Sequence, residues 1–269
     1  MTKSKYLALD VVSEFVSYFT KLCCDKSSVF AQRFEYDDGS GEFYIDHFQD
    51  ALVNYYWRSS DFYSLAIKSS FLIDDIEHAL DFGHNTKALK ASLRILGWHK
   101  LFDEHDVGWL LDSHDCGALA DRLNQAVQLL TGDNEQGLDL FNTEKLLSSQ
   151  AISCLYGHAT NDRTVILNQQ VADAIQMIVH SFVKHGFVEH SDYHTTPEQL
   201  CFTAHSGQPH ALANLRLNWI ITEVVQHWQT PLRGAVSSKL KEIESCLFMI
   251  GQNTSAVSKI AVPTVNGTL

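Results

Sequence analysis

Proline is missing from the first 196 residues, since the four in the chain are Pro197, Pro209, Pro231 and Pro263. That removes the strongest helix breaker from most of the sequence and permits long helices there. No window approaches the roughly 18 uninterrupted apolar residues of a membrane span. The opening MTKSKYLALDVVSEF sets Asp10 and Glu14 inside its apolar stretch, so it has no signal-peptide apolar region. A soluble, cytoplasmic protein is expected. The six cysteines form no C-x-x-C pair, and they are expected to be mostly buried, reduced thiols. There is no Walker A loop, dinucleotide glycine fingerprint, G-x-S-x-G elbow or H-E-x-x-H, which excludes the catalytic classes with the most readable signatures.

Positive charge is also scarce, with 20 Lys and Arg against 32 Asp and Glu, for a net charge of −12. The excess is N-terminal: residues 1–163 hold 25 acids and 14 bases, residues 164–269 hold 7 and 6. Between Asp103 and Asp139 nine acids face one base, Arg122. Such a segment repels a phosphate backbone, so direct nucleic-acid binding is disfavoured, and it suits either solvent or a protein partner with a basic surface.

What is present is the makings of a core. Of 269 residues, 45% are hydrophobic and 19% charged, the balance of a chain that folds. The pattern predicts a mainly α protein in two helical subdomains, 1–160 and 161–269. Leu7, Val11, Phe15, Phe19 and Leu22 recur at three and four, the spacing of an amphipathic helix over 5–24. Aromatic and β-favouring runs on either side of Asp37-Asp38-Gly39-Ser40-Gly41 predict a β-hairpin at about 29–45. Helices are expected at 46–58, at 61–82 with Asp61 as N-cap, and at 85–97, 116–131, 143–156, 166–185, 209–229 and 235–250. Gly132, Gly157, Gly186 and Gly251 are read as their stops. The tail after Gly251 is expected to fray. In 164–206 a helix ending near Gly186 precedes two short β-compatible runs, at Phe187-Val188 and Leu200-Phe202. That order resembles the recognition helix and wing of winged-helix domains, although Lys184 is the only cation there, so a protein contact fits it better than DNA.

Fourteen histidines supply the candidate chemistry. Arg94-Ile-Leu-Gly-Trp-His99 resembles the R-x(4–6)-H pattern of the HEPN ribonucleases, in which the Arg and His act on an RNA phosphodiester at a dimer cleft. Five positions turn about 140° around a helix, so convergence would need a break at Gly97. His190, His194, Cys201 and His205 are four zinc-compatible ligands within a short stretch, and a structural zinc is the only cofactor the sequence suggests. His105-Asp106 and His114-Asp115 are similar to the doublet of HD phosphohydrolases, but Asp115 reads better as a helix cap. Asp74, His78 and Asp81 share one helix face, as a solvated face would. No catalytic set is complete. The sequence therefore favours a non-catalytic interaction subunit, an adaptor or regulatory component with a protein partner and no membrane contact, open to homodimer formation. A HEPN-like ribonuclease using Arg94 and His99 is the alternative.

Overall fold

The computed structural model describes residues 1–24, 32–35, 41–57, 60–142, 145–161, 163–185, 196–202, 206–228 and 239–260. They are mainly helical. The single helix expected over 5–24 is split into α1 (Lys3–Leu7) and α2 (Asp10–Cys24); α2 buries the expected Phe15, Phe19 and Leu22, with Val12 buried where Val11, only half-buried, was expected. Strands β1 (Gln32–Glu35) and β2 (Glu42–Ile45) pair antiparallel, Gln32 opposite Ile45 and Glu35 opposite Glu42. The expected turn at residues 36–40 lies outside the described residues.

The helix expected over 46–58 is not formed as such. Only α3 (Asp50–Val53) is helical, and β3 (Tyr56–Trp57) then pairs antiparallel with β4 (Ser60–Asp61). The aromatic run Tyr55-Tyr56-Trp57 prefers an extended backbone, and α3 closes before it. Next come α4 (Phe62–Asp81) and α5 (Asn85–His99). Asp61 caps α4 as expected, its carboxylate accepting the Ser64 N–H at 2.8 Å.

Helix α6 (Glu104–Asp115) was not expected, and α7 (Leu119–Leu130) starts later than expected. Two of the four residues that α6 buries, Asp106 and Ser113, are polar, so no apolar stripe announces it. Asp115 is therefore the last residue of α6 and not a cap for the next helix. That duty falls to Asn85, which accepts the Ala120 N–H at 2.9 Å and donates to the Gly117 carbonyl at 2.9 Å, tying the start of α5 to the start of α7.

The remaining helices are α8 (Gln150–Ala159), α9 (Gln169–His185), α10 (Gly207–His227) and α11 (Lys239–Ile260). Two expected helix stops prove to be close-approach points instead. Gly157 lies inside α8, where a Cβ would press on the Ile166 side chain, and Gly251 lies inside α11, where it would overlap the Gln170 backbone. The winged-helix expectation is only partly within view. Phe187-Val188 lies outside the described residues, and a 3-10 turn, Glu198–Leu200, occupies the start of the second expected strand.

Helices α4 to α8 pack among themselves, and α9 and α11 form the closest helix pair of the other half. One continuous apolar core joins them, running from Tyr6 to Ile250. Aromatic contacts carry it across the chain: Phe15 meets Phe182 at 5.4 Å between ring centres, Phe19 meets Phe48 at 5.9 Å, and Phe48 meets Trp228 at 5.5 Å. Among the described residues no helix is long and apolar enough to cross a membrane.

Candidate functional site

Helix α5 is the wall shared by the two features of the molecule best suited to binding. It buries Ala88, Ala91, Ser92, Ile95 and Leu96, and the small residues among these let α4 lie close beside it. The helix continues through Gly97 to His99, so Arg94 and His99 keep their angular separation and enter different surroundings. The structure does not bring them together within this chain.

Arg94 lies on the outer side, where its guanidinium pairs with the Asp75 carboxylate of α4. Lys87, Lys90 and Arg94, spaced three and four apart, border a surface groove of about 460 Å³ whose α4 edge carries Asp74, Asp75 and His78. Among the described residues neither Lys87 nor Lys90 has an ion-pair partner. Along the same face of α4 stand Ile67, 55% exposed, Phe71, 66% exposed, and Phe82, 64% exposed. The His78 ring rests on Phe82 at 4.7 Å between centres, and His84 stacks on Phe82 from beyond the helix end at 6.0 Å. The opposite face buries Leu72, Ile73, Ile76, Ala79 and Leu80. The expected polar face at Asp74, His78 and Asp81 is indeed exposed, but it shares its side of α4 with two large aromatic rings.

His99 turns the other way. Its ring lies 5.4 Å from Trp57 and 5.3 Å, edge to face, from His158 of α8. These residues line a half-open pocket whose cavity measures about 60 Å³, built where β3, α4, α5, α8, the 163–168 segment and α11 converge. His158 is buried, and its Nδ1 stands 2.9 Å from the Cys154 carbonyl. A carbonyl only accepts, so Nδ1 carries the hydrogen in this contact. Glu244 is held by two donors, the Ile166 N–H at 2.9 Å and the Lys241 ammonium at 2.7 Å. Buried Cys154 lies below, its thiol pushed up to about 12 mainly by burial and further by the Glu244 charge.

Of the zinc-compatible set, His190, His194 and His205 lie outside the described residues, and Cys201 is exposed at the end of the 3-10 turn. Among the described residues one group, Asp103, His105 and Asp106, brings potential metal ligands together. Helix capping accounts for much of it: Asp103 accepts the His105 N–H at 2.9 Å, and Asp106 accepts the Ser149 hydroxyl at 2.9 Å. Burial raises the Asp106 carboxyl above the usual range, with the Asp103 charge adding to the rise and the Ser149 hydrogen bond opposing it. The second doublet is also local, His114 Nδ1 lying 3.0 Å from the Asp115 carboxylate.

The pocket was not legible in the sequence, because its polar members come from segments far apart in the chain. The exposed seam on α4 could have been found, since Ile67, Phe71 and Phe82 are apolar residues on the side that also carries Asp74 and His78. The chain matches no protein-family model, no curated protein and no solved structure.

Proposed function

We propose that this chain is a non-catalytic interaction subunit that docks an amphipathic helix of a partner protein along the α4–α5 groove. The observation that carries this reading is the exposed seam of Ile67, Phe71 and Phe82 beside Lys87 and Lys90, which have no ion-pair partner among the described residues. Large rings held in water on a helix face, next to exposed charged side chains, are what an interface presents before its partner arrives. The chemistry of the groove specifies the occupant. Its apolar stripe covers Phe71 and Phe82, and acidic residues on its flank reach Lys87 and Lys90. This differs from the basic partner expected from the acidic 103–139 segment, because α5 supplies cations that the overall charge conceals.

The test is affinity purification from the native host with three baits: the wild type, Phe71→Ser with Phe82→Ser, and Lys87→Glu with Lys90→Glu. A partner held by the wild type and lost from both variants, with their circular dichroism unchanged, supports the reading. A partner that survives both sets of changes overturns it. So does a wild-type dimer, seen by light scattering, that the same changes dissociate, since that would make a second copy the occupant. The ribonuclease alternative requires Arg94 and His99 at one phosphodiester, and no observation favours that. If Arg94→Ala with His99→Ala abolished an RNA-cleaving activity while leaving the fold intact, the ribonuclease would replace the interaction subunit.

A further inference from the structure

A third recess, away from α5, lies between the ends of α7 and α8 and the flank of α10, with Lys3 of α1 in its lining. It measures about 370 Å³, within the range of small-ligand pockets. Val127, Leu130 and Trp219 give it an apolar part, and four threonines, Thr131, Thr160, Thr164 and Thr222, make the rest hydroxyl-rich. The hydrogens of those hydroxyls are already committed inside the protein. Thr131 donates to the Val127 carbonyl at 2.8 Å, Thr222 to the Asn218 carbonyl at 2.7 Å and Thr160 to the Gly157 carbonyl at 2.9 Å. Thr164 lies 2.8 Å from the Thr160 hydroxyl, and with the Thr160 hydrogen directed at Gly157 it is Thr164 that donates. The Asn218 amide and the Trp219 indole N–H likewise go to the Asn214 and Gly132 carbonyls, each at 2.9 Å. A hydroxyl that has given its hydrogen has only lone pairs to offer. The recess is therefore rich in acceptors, and the Asp133 carboxylate adds to them.

Charge narrows the ligand class. Helices α7 and α8 both end at the recess, after Leu130 and Ala159, and bring to it the partial negative charge of their carbonyl ends. Together with Asp133 and the spent hydroxyls, these ends disfavour an oxyanion. Two side chains disfavour a cation: Arg163, whose Nε donates to the Thr160 carbonyl at 2.8 Å, and Lys3, which stands 3.7 Å from the Glu223 carboxylate. What fits is a neutral molecule whose own hydroxyls bring hydrogens to the acceptors, whose oxygens accept from the two cationic groups, and whose C–H face covers the apolar part. We propose that this recess binds a neutral sugar ring, either alone or as the end of a longer saccharide. The ring gives hydroxyl hydrogens to Thr131, Thr222 and Asp133 and turns its C–H face to Val127, Leu130 and Trp219. This reading is independent of the α4–α5 groove.

The probes are D-glucose, D-galactose and D-mannose, each titrated separately into nitrogen-15-labelled protein. The control is tetrahydropyran-2-methanol, which keeps the ring and lacks the ring hydroxyls. The chain has five tryptophans, and single Trp→Phe variants assign their indole N–H signals. At least one sugar is expected to shift the Trp219 signal saturably below about 100 mM, a generous limit for about a dozen heavy atoms, and to leave Trp57 and Trp98 in place. The control should bind at least about tenfold more weakly, because the acceptors then stay without donors. Thr222→Val, which removes an acceptor at nearly constant volume, and Asp133→Ala, an exposed change, should each weaken that sugar about threefold or more. If Thr222→Val does not fold, Asp133→Ala decides the matter alone. The proposal is overturned if no sugar gives a saturable shift in that range, if the control binds as well as the sugar, or if either folded variant binds it as tightly as the wild type. It is equally overturned if inorganic phosphate moves the Trp219 signal at a lower concentration than any of the three sugars, since the recess would then be an oxyanion site.

Discussion

Single side chains settle several questions that composition leaves open. Three of the six cysteines, Cys23, Cys154 and Cys246, are buried with thiols shifted upward by burial, while Cys24, Cys116 and Cys201 are exposed. The expectation of mostly buried thiols therefore holds for half of them. In a timed reaction with a chromogenic disulfide reagent at neutral pH, the native protein should give three fast thiols and release the other three only on unfolding. Asp106 is a second case. Its carboxyl is raised, so the folded state binds a proton more tightly than the unfolded state does. Its contribution to stability therefore falls as pH climbs from the unfolded value through the folded one, and stays lost above it. Asp106→Asn keeps an acceptor for the Ser149 hydroxyl and removes the buried charge. Denaturant titrations across pH 4 to 7 should show this variant at least as stable as the wild type at pH 7, without the wild type's loss over that window. The two embedded glycines differ in what surrounds them. Gly251→Ala meets backbone and should cost upwards of about 3 kcal/mol, while Gly157→Ala meets a side chain that can turn and should cost about 1–3 kcal/mol. Chemical denaturation of the two variants checks that order.

At the scale of elements, the legible parts of the sequence were those with a local cause. Asp61 precedes a strongly patterned run and caps α4, and the spacing of Phe15, Phe19 and Leu22 forecasts most of the buried face of α2, although Val12 and not Val11 completes it. Helix α6 was missed because its core contacts include Asp106 and Ser113, whose burial depends on neighbours and not on period. Arg122 supplies one such neighbour, donating to the Ser113 hydroxyl at 2.7 Å. Asn85, the first residue of α5, serves α7 across 35 positions. Asn85→Ala should then cost about 1–2 kcal/mol and speed amide exchange at Ala120 more than at the first turn of α5. Hydrogen exchange read residue by residue would settle which helix it caps. Removing the rings of the α4 seam has the opposite signature. Phe71→Ser and Phe82→Ser are surface changes and should alter stability by no more than about 0.5 kcal/mol while removing whatever docks there.

Over the whole molecule, one apolar cluster among the described residues includes side chains from both sides of residue 160, the expected subdomain boundary. Residues on both sides of it, such as Leu155 and Leu167, belong to one cluster, and Tyr6 of α1 donates to the Gln199 carbonyl at 2.6 Å, 193 positions along the chain. A core shared in this way should unfold as one unit. Fluorescence from variants retaining only Trp98 or only Trp228 should give coincident denaturation curves, and two separated midpoints would restore the two-subdomain division. The sequence by itself determined the helical class, most helix positions and the acidity, because period, caps and charge are local properties of neighbouring residues. Tertiary structure alone decided that Arg94 and His99 part company, that Gly157 and Gly251 are contact points rather than stops, and that His158, Glu244 and Asn168 share a pocket. These outcomes depend on which distant segments come to lie side by side, and packing, unlike periodicity, leaves no mark on the order of the residues.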